Sequence, residues 1–300
     1  MTKYIALVLA SVAMTAMAQT SAVTVPVPAS TNTISTSVET VKAPARPWEI
    51  SFFSFASSPA VQLQKGKAAV DSSNYLSVGR KISDNNKLSL RVPFAYNTSG
   101  IDKSNKERGS STLLQDVYLV LGQSKWFQQG DWKLYGAERL YFPTSDFSKN
   151  AKTLARARVE LNLERSLGTL GSLTYSVKPD YYFQSQNSYA DKNATKPTNK
   201  ANIQVGLDHY VELKAKANSW LVVRPLVGFL ENWFKGYDNV EALHTTAFRS
   251  ALTLQFVVNK SFDFALGLEN RTALNGANGA PVFYQNKDNT AYLVTNVSLN

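Results

Sequence analysis

Charged residues recur at every second position through much of this sequence, and that spacing limits the chemistry the chain can perform. From 155 to 164, Arg156, Arg158, Glu160, Asn162 and Glu164 alternate with Ala155, Ala157, Val159, Leu161 and Leu163. A period of two places the two sets on opposite faces of a β-strand. The same parity, carried along the chain, gathers Arg91, Arg158, Lys178, Arg224 and Arg249 on one face with Asp116, Glu160 and Asp208. Such a surface of mixed sign binds or conducts charged solutes through electrostatics. It contains no pairing of nucleophile with base.

Covalent chemistry has little to draw on. The chain has no cysteine, which excludes a disulfide framework, a thiolate metal site, a lipid anchor on Cys and a Cys nucleophile. Its two histidines, His209 and His244, share parity with the apolar positions of their segments. The run His244-Thr245-Thr246 sets hydroxyls beside an imidazole, but the nearest acids in sequence, Asp238 and Glu241, make a weak cluster. No Gly-rich phosphate loop or metal-ligand spacing occurs, so no cofactor is expected. A polar residue at the end of a strand accounts better for each histidine than a catalytic role.

Two opening segments differ from the rest. Lys3, an apolar run from Tyr4 to Ala13, and Ala16-Met17-Ala18 read as a secretory signal over 1–18, cut after Ala18. The apolar run is shorter than the ~20 residues of a spanning helix. Residues 19–47 contain no aromatic residue and include Pro26, Pro28, Pro44 and Pro47, the composition of a disordered periplasmic arm. The formal charge of +10 would suggest nucleic acid in a cytosolic protein. In an exported chain it points to lipopolysaccharide phosphates and acidic solutes, with no nucleic-acid partner.

From Trp48 onward the pattern predicts twelve strands, at 48–57, 72–82, 86–96, 112–123, 131–142, 155–164, 171–185, 201–215, 219–233, 244–258, 261–273 and 290–300. Short turns at Ser83-Asp84-Asn85, 166–169, 216–218 and Asn259-Lys260 alternate with long loops such as 97–111 and 186–200. The fourth connection, 124–130, is read as a longer turn. Even the most apolar segment, WLVVRPLVGFL at 220–230, is broken by Arg224, so any membrane-spanning structure must be a β-barrel. Its apolar face must then meet lipid, since turning Arg156 and Arg158 outward would cost about 2 to 4 kcal/mol each. Trp48, Trp126, Trp132 and Trp220 fall at the turn ends of these strands and Trp233 at a loop end, as interfacial belts require. Pro93, Pro179 and Pro225 fall inside strands and predict bulges, and Glu138 falls on the lipid face.

Signal, alternation, loop asymmetry and belts together resemble Gram-negative outer-membrane β-barrel proteins. The resemblance implies an all-β fold, a transmembrane antiparallel barrel of 12 strands over 48–300, located in the cell outer membrane. It also implies contact with outer-membrane lipid and lipopolysaccharide, and insertion by the outer-membrane assembly machinery. A porin-like passive channel for small hydrophilic, including anionic, solutes then follows, lined by Arg91, Arg158, Arg224, Arg249, Glu160, Asp208, Lys178 and Asp116. One alternative is a structural or adhesive barrel whose paired charges plug the lumen. Another is an integral outer-membrane phospholipase, a family of similar size with a His and a Ser on the outer wall, where this chain has His244 and Thr246.

Overall fold

The computed structural model describes residues 48–102, 105–190, 199–236, 241–274 and 283–299. The expected signal and arm, residues 1–47, lie outside the described residues. The strands are β1 (Trp48–Pro59), β2 (Asp71–Lys81), β3 (Asn86–Asn97), β4 in two pieces (Ser111–Leu114 and Tyr118–Gln129), β5 (Trp132–Tyr141) and β6 (Thr153–Ser166). They continue with β7 (Gly171–Gln184), β8 (Ile203–Lys216), β9 (Leu221–Phe234), β10 (His244–Val257), β11 (Phe262–Ala273) and β12 (Asn289–Leu299). Every neighbouring pair is antiparallel, and β1 pairs with both β2 and β12. Pairing of β2 with β3 joins the remaining edges, so the sheet closes into a twelve-stranded barrel. Closure leaves no unpaired strand edge.

The inside of this molecule is polar and its outside apolar. Ser77, Ser89, Thr174, Ser176, Asp180 and Glu212 are all buried, whereas among the described residues buried apolar side chains form one small cluster, Tyr118, Val120, Ala137 and Tyr141. Leu88, Leu90, Val92, Val159, Leu161, Val227, Leu252 and Leu268 point outward and are exposed. A soluble sandwich would bury those side chains between sheets, so their exposure around a closed wall excludes that arrangement. Among the described residues, no helix is long and apolar enough to cross a membrane.

Most strand limits agree with the sequence pattern to within two residues. The exception is the fourth connection. β4 runs on to Gln129 and turns in two residues, Gly130 and Asp131, with Gly130 at φ 54°. The register between β4 and β5 shifts between Gln123 and Phe127, and this irregular stretch gave the appearance of a loop. Trp126, within it, lies over Gly136, where a Cβ would sit 3.0 Å from its Cη2.

The prolines behave differently from one another. Opposite Pro93, three residues, Gln115 to Val117, face two on β3, since Arg91 pairs with Tyr118 and Phe94 with Leu114. That is a bulge, and Gln115 N–H donates to the Pro93 carbonyl at 3.1 Å. Around Pro179 and Pro225, however, the register is unchanged, so the expected bulges are absent there. Both prolines point outward, and the strand continues past the missing donor. Glu138 points outward between Leu121 and Val159, as its parity requires.

Candidate functional site

The lumen wall carries two groups of charge. On β3 to β7, four guanidinium groups (Arg91, Arg139, Arg156 and Arg158) gather around two of the carboxylates, Glu160 and Asp180, while a third, Glu164, faces Lys214 on β8 at 3.5 Å. Arg156 donates to Asp180 from Nε at 2.8 Å and from Nη2 at 2.9 Å, and Arg158 donates to the same carboxylate from Nε at 2.8 Å. Arg139 Nη2 lies 2.7 Å from Glu160 Oε1. Arg91 meets no carboxylate or other acceptor among the described residues, and its Nε is buried without a partner. Its guanidinium instead lies over Tyr75, 4.5 Å from the ring centroid, and 5.8 Å from that of Tyr118.

On β8 to β11 the charges balance. Arg224 grips Glu212 with Nε at 3.0 Å and Nη2 at 3.1 Å, and its Nη1 donates to Gln255 at 3.0 Å. Arg249 reaches Asp208 at 3.3 Å and Glu269 at 3.1 Å, and Glu269 also meets Arg271. Lys178 donates to the Tyr210 hydroxyl at 2.8 Å. Pairing of this kind needs β8, β9, β10 and β11 to bring residues 20 to 41 positions apart in sequence onto one level.

Seven of the eight expected lumen residues therefore sit on barrel strands with their side chains inside. Asp116 faces the same side but lies in the bulge, off the strand ladder. Its carboxylate accepts from Ser145 N–H at 2.8 Å and from the Ser148 hydroxyl. It thereby holds α1 (Asp146–Asn150), a short helix in the loop after β5 whose own N-cap is Ser145. Helix, bulge and wall enclose a cavity of about 830 Å³ on the loop side of the lumen, lined by Arg91, Tyr75, Tyr118, Arg139 and Arg156 among others.

The outer wall holds a polar cluster that includes both histidines. His209 Nε2 lies 3.3 Å from Glu231 Oε1, and His244 Nε2 lies 3.0 Å from Glu231 Oε2. Trp233 stacks on the His244 ring at 4.6 Å. Glu231 was not singled out in the sequence because it follows a long apolar run, and only cross-strand pairing places it between His209 and His244. The acid expected nearby, Asp238, lies outside the described residues. Thr246 Oγ1 is 3.5 Å from His244 Nε2, the nitrogen that also faces Glu231.

No family model matches the sequence, and no curated protein sequence matches it. Solved structures do. An outer membrane channel from Pseudomonas putida F1 is 10% identical, with 84% of this chain and 96% of that chain covered, at a TM-score of 0.54. The architecture is that of a Gram-negative outer-membrane β-barrel. The β domain of the Bordetella autotransporter BrkA is also 10% identical, covering 84% of this chain and 100% of that one at a TM-score of 0.46. Salmonella typhi OmpF is 7% identical over 84% of this chain and 97% of its own at a TM-score of 0.37. The likeness is one of architecture, shared by channels and autotransporter translocators.

Proposed function

We propose that the protein is exported by a cleaved signal peptide to the outer membrane and acts there as a passive channel for small hydrophilic solutes, with a preference for anions. The observation that carries this reading is the course of the ion pairs. Among the described residues, none between barrel strands spans more than one intervening strand, as in Arg249 with Asp208 or Lys87 with Glu49. Twelve strands about 4.8 Å apart and tilted by about 40° give a backbone radius of about 12 Å. Arginine side chains that lie along the wall to reach neighbours leave the axis to water. The anion preference follows from the excess of inward cations over carboxylates on β3 to β7, where Lys87, Arg91, Arg139, Arg156, Arg158 and Lys178 stand against Asp116, Glu160, Glu164 and Asp180, set against the balanced half opposite.

The outer wall suits lipid and lipopolysaccharide. Arg80 lies 5.6 Å from the ring of Trp48 and Arg165 lies 5.5 Å from that of Trp132, both at the turn end where aromatic residues and cations meet headgroups. The test is planar-bilayer recording of the purified protein in a potassium chloride gradient. Discrete conductance steps with a reversal potential on the anion side are expected. Absence of steps would favour a structural barrel with a closed lumen.

A further inference from the structure

An unbroken ladder of aromatic rings and guanidinium groups crosses seven adjacent strands of the lumen wall. Phe53 on β1 stacks on Tyr75 at 4.8 Å, and Arg91 lies over Tyr75 at 4.5 Å. Tyr118 stacks on Tyr141 at 4.5 Å, and Arg156 lies 4.5 Å from Tyr141 and 4.9 Å from Tyr182. Most of these contacts follow the strand register: Arg91 pairs with Tyr118, Tyr118 with Tyr141, Tyr141 with Arg156, and Arg156 with Tyr182. The two arginines differ in one respect. The donor edge of Arg156 is filled by Asp180, whereas that of Arg91 has no acceptor among the described residues.

We propose that Arg91 is the binding site for an organic monocarboxylate with a small apolar body. Tyrosine contacts hold the faces of its guanidinium, so what it offers a ligand is a planar edge of N–H donors, which matches a carboxylate in bidentate geometry. A tetrahedral dianion would call for further free cations, but the neighbouring Arg139 and Arg156 are already matched to Glu160 and Asp180. Part of the cavity beside Arg91 is apolar, with Phe53, Pro93, Leu113, Leu114 and Phe147 that a carboxylate's hydrocarbon portion can cover, and the Asp116 carboxylate that also lines it is engaged by Ser145 and Ser148. Several of these residues come from the loop side, so the site would take its ligand at the outer mouth and hand it to the arginine-rich wall.

This inference rests on reading the lumen as a solute path, and the experiment keeps the two apart. Benzoate is titrated against the full folded protein in detergent by calorimetry, and separately added to the bilayer while chloride current is recorded. Saturable benzoate binding is expected, weakened about tenfold or more in Arg91→Gln and partly retained in Arg91→Lys. Both variants are first checked for an intact barrel by their heat-dependent electrophoretic mobility and strand-type circular dichroism, and Arg91→Lys serves if Arg91→Gln does not fold. Benzoate binding without any conductance would overturn the channel reading and leave this site standing. Conductance without benzoate binding, binding unchanged by either variant, or phosphate binding as tightly as benzoate would each overturn the site.

Discussion

Asp180 balances two cations at once, and replacing it should show how much the lumen depends on such pairing. Its carboxylate is buried and accepts three hydrogen bonds of 2.8 to 2.9 Å from Arg156 and Arg158, and Arg158 adds a further, shorter one from Nη2. Asp180→Asn keeps the shape and one acceptor oxygen but leaves both guanidinium groups without a counter-charge. Removing one partner of a buried ion pair costs about 3 to 5 kcal/mol. The Arg156 and Arg158 side chains remain 22% and 25% exposed to the lumen, so water and chloride recover part of that. We expect a loss of about 2 to 4 kcal/mol, measured by guanidinium unfolding of protein refolded in lipid vesicles and followed by tryptophan fluorescence. Adding Arg158→Gln should restore part of the loss, because one cation of the trio is removed. The same single substitution should move the reversal potential further to the anion side, so stability and selectivity change in opposite senses. A loss below about 0.5 kcal/mol would refute the reasoning, by showing that lumen water alone solvates both arginines.

Three further outcomes can be checked. Glu138→Leu should raise unfolding free energy in lipid vesicles by about 1 to 2 kcal/mol, because the side chain points outward between Leu121 and Val159 and an acid on that face costs somewhat less than a basic residue; an unchanged or lower value would mean that Glu138 is hydrated or paired in the membrane. Asp116→Ala should free α1, raising amide exchange at Ser145 to Ser148 and increasing unitary conductance, since the carboxylate ties that helix to the bulge; equal conductance would show that the helix does not narrow the path. Protein reconstituted in phospholipid vesicles should release no fatty acid beyond a His244→Ala control, because Glu231 and Thr246 both address Nε2 of His244 and, among the described residues, no relay runs from acid through ring to hydroxyl; release that disappears in the variant would establish an enzyme.

The barrel was legible because its two faces meet opposite solvents. When Arg156, Arg158 and Glu160 must face water and Val159 and Leu161 must not, a slip of one residue inverts every side chain, so the alternation fixes register as well as strand type. Where that pressure is absent the sequence becomes ambiguous. From Ser124 to Gln129 polar residues occupy both parities, and a strand that reaches beyond the apolar band is indistinguishable from a loop. The Pro93 bulge is specified by its partner, Gln115 to Val117, on another strand, whereas Pro179 and Pro225 carry the same local signal without one. The lumen arginines were identifiable singly, but their partners were not. Arg158, Arg224 and Arg249 look equivalent to Arg91 in parity and depth, and only the stagger between strands supplies the first three with carboxylates and leaves Arg91 without.

That difference traces to the bulge. Opposite Arg91 the ladder is regular and delivers Tyr118, but two residues further along β3 the extra residue of β4 breaks the parity, so Asp116 leaves the strand ladder. In an uninterrupted strand Asp116, two residues from Tyr118, would stand on the same side of the wall within one pleat of Arg91, close enough to serve as its counter-ion. In the bulge its carboxylate turns to Ser145 and Ser148 instead. One inserted residue therefore commits that acid, which still lines the cavity with Arg91, to the loop residues Ser145 and Ser148, and so anchors the helix that shapes the cavity. Bulges that terminate regular pairing and re-aim a side chain are common beside functional sites. Here the local loss of ladder bonding is what leaves a cation unpaired inside a wall where the other mid-height arginines each reach a carboxylate.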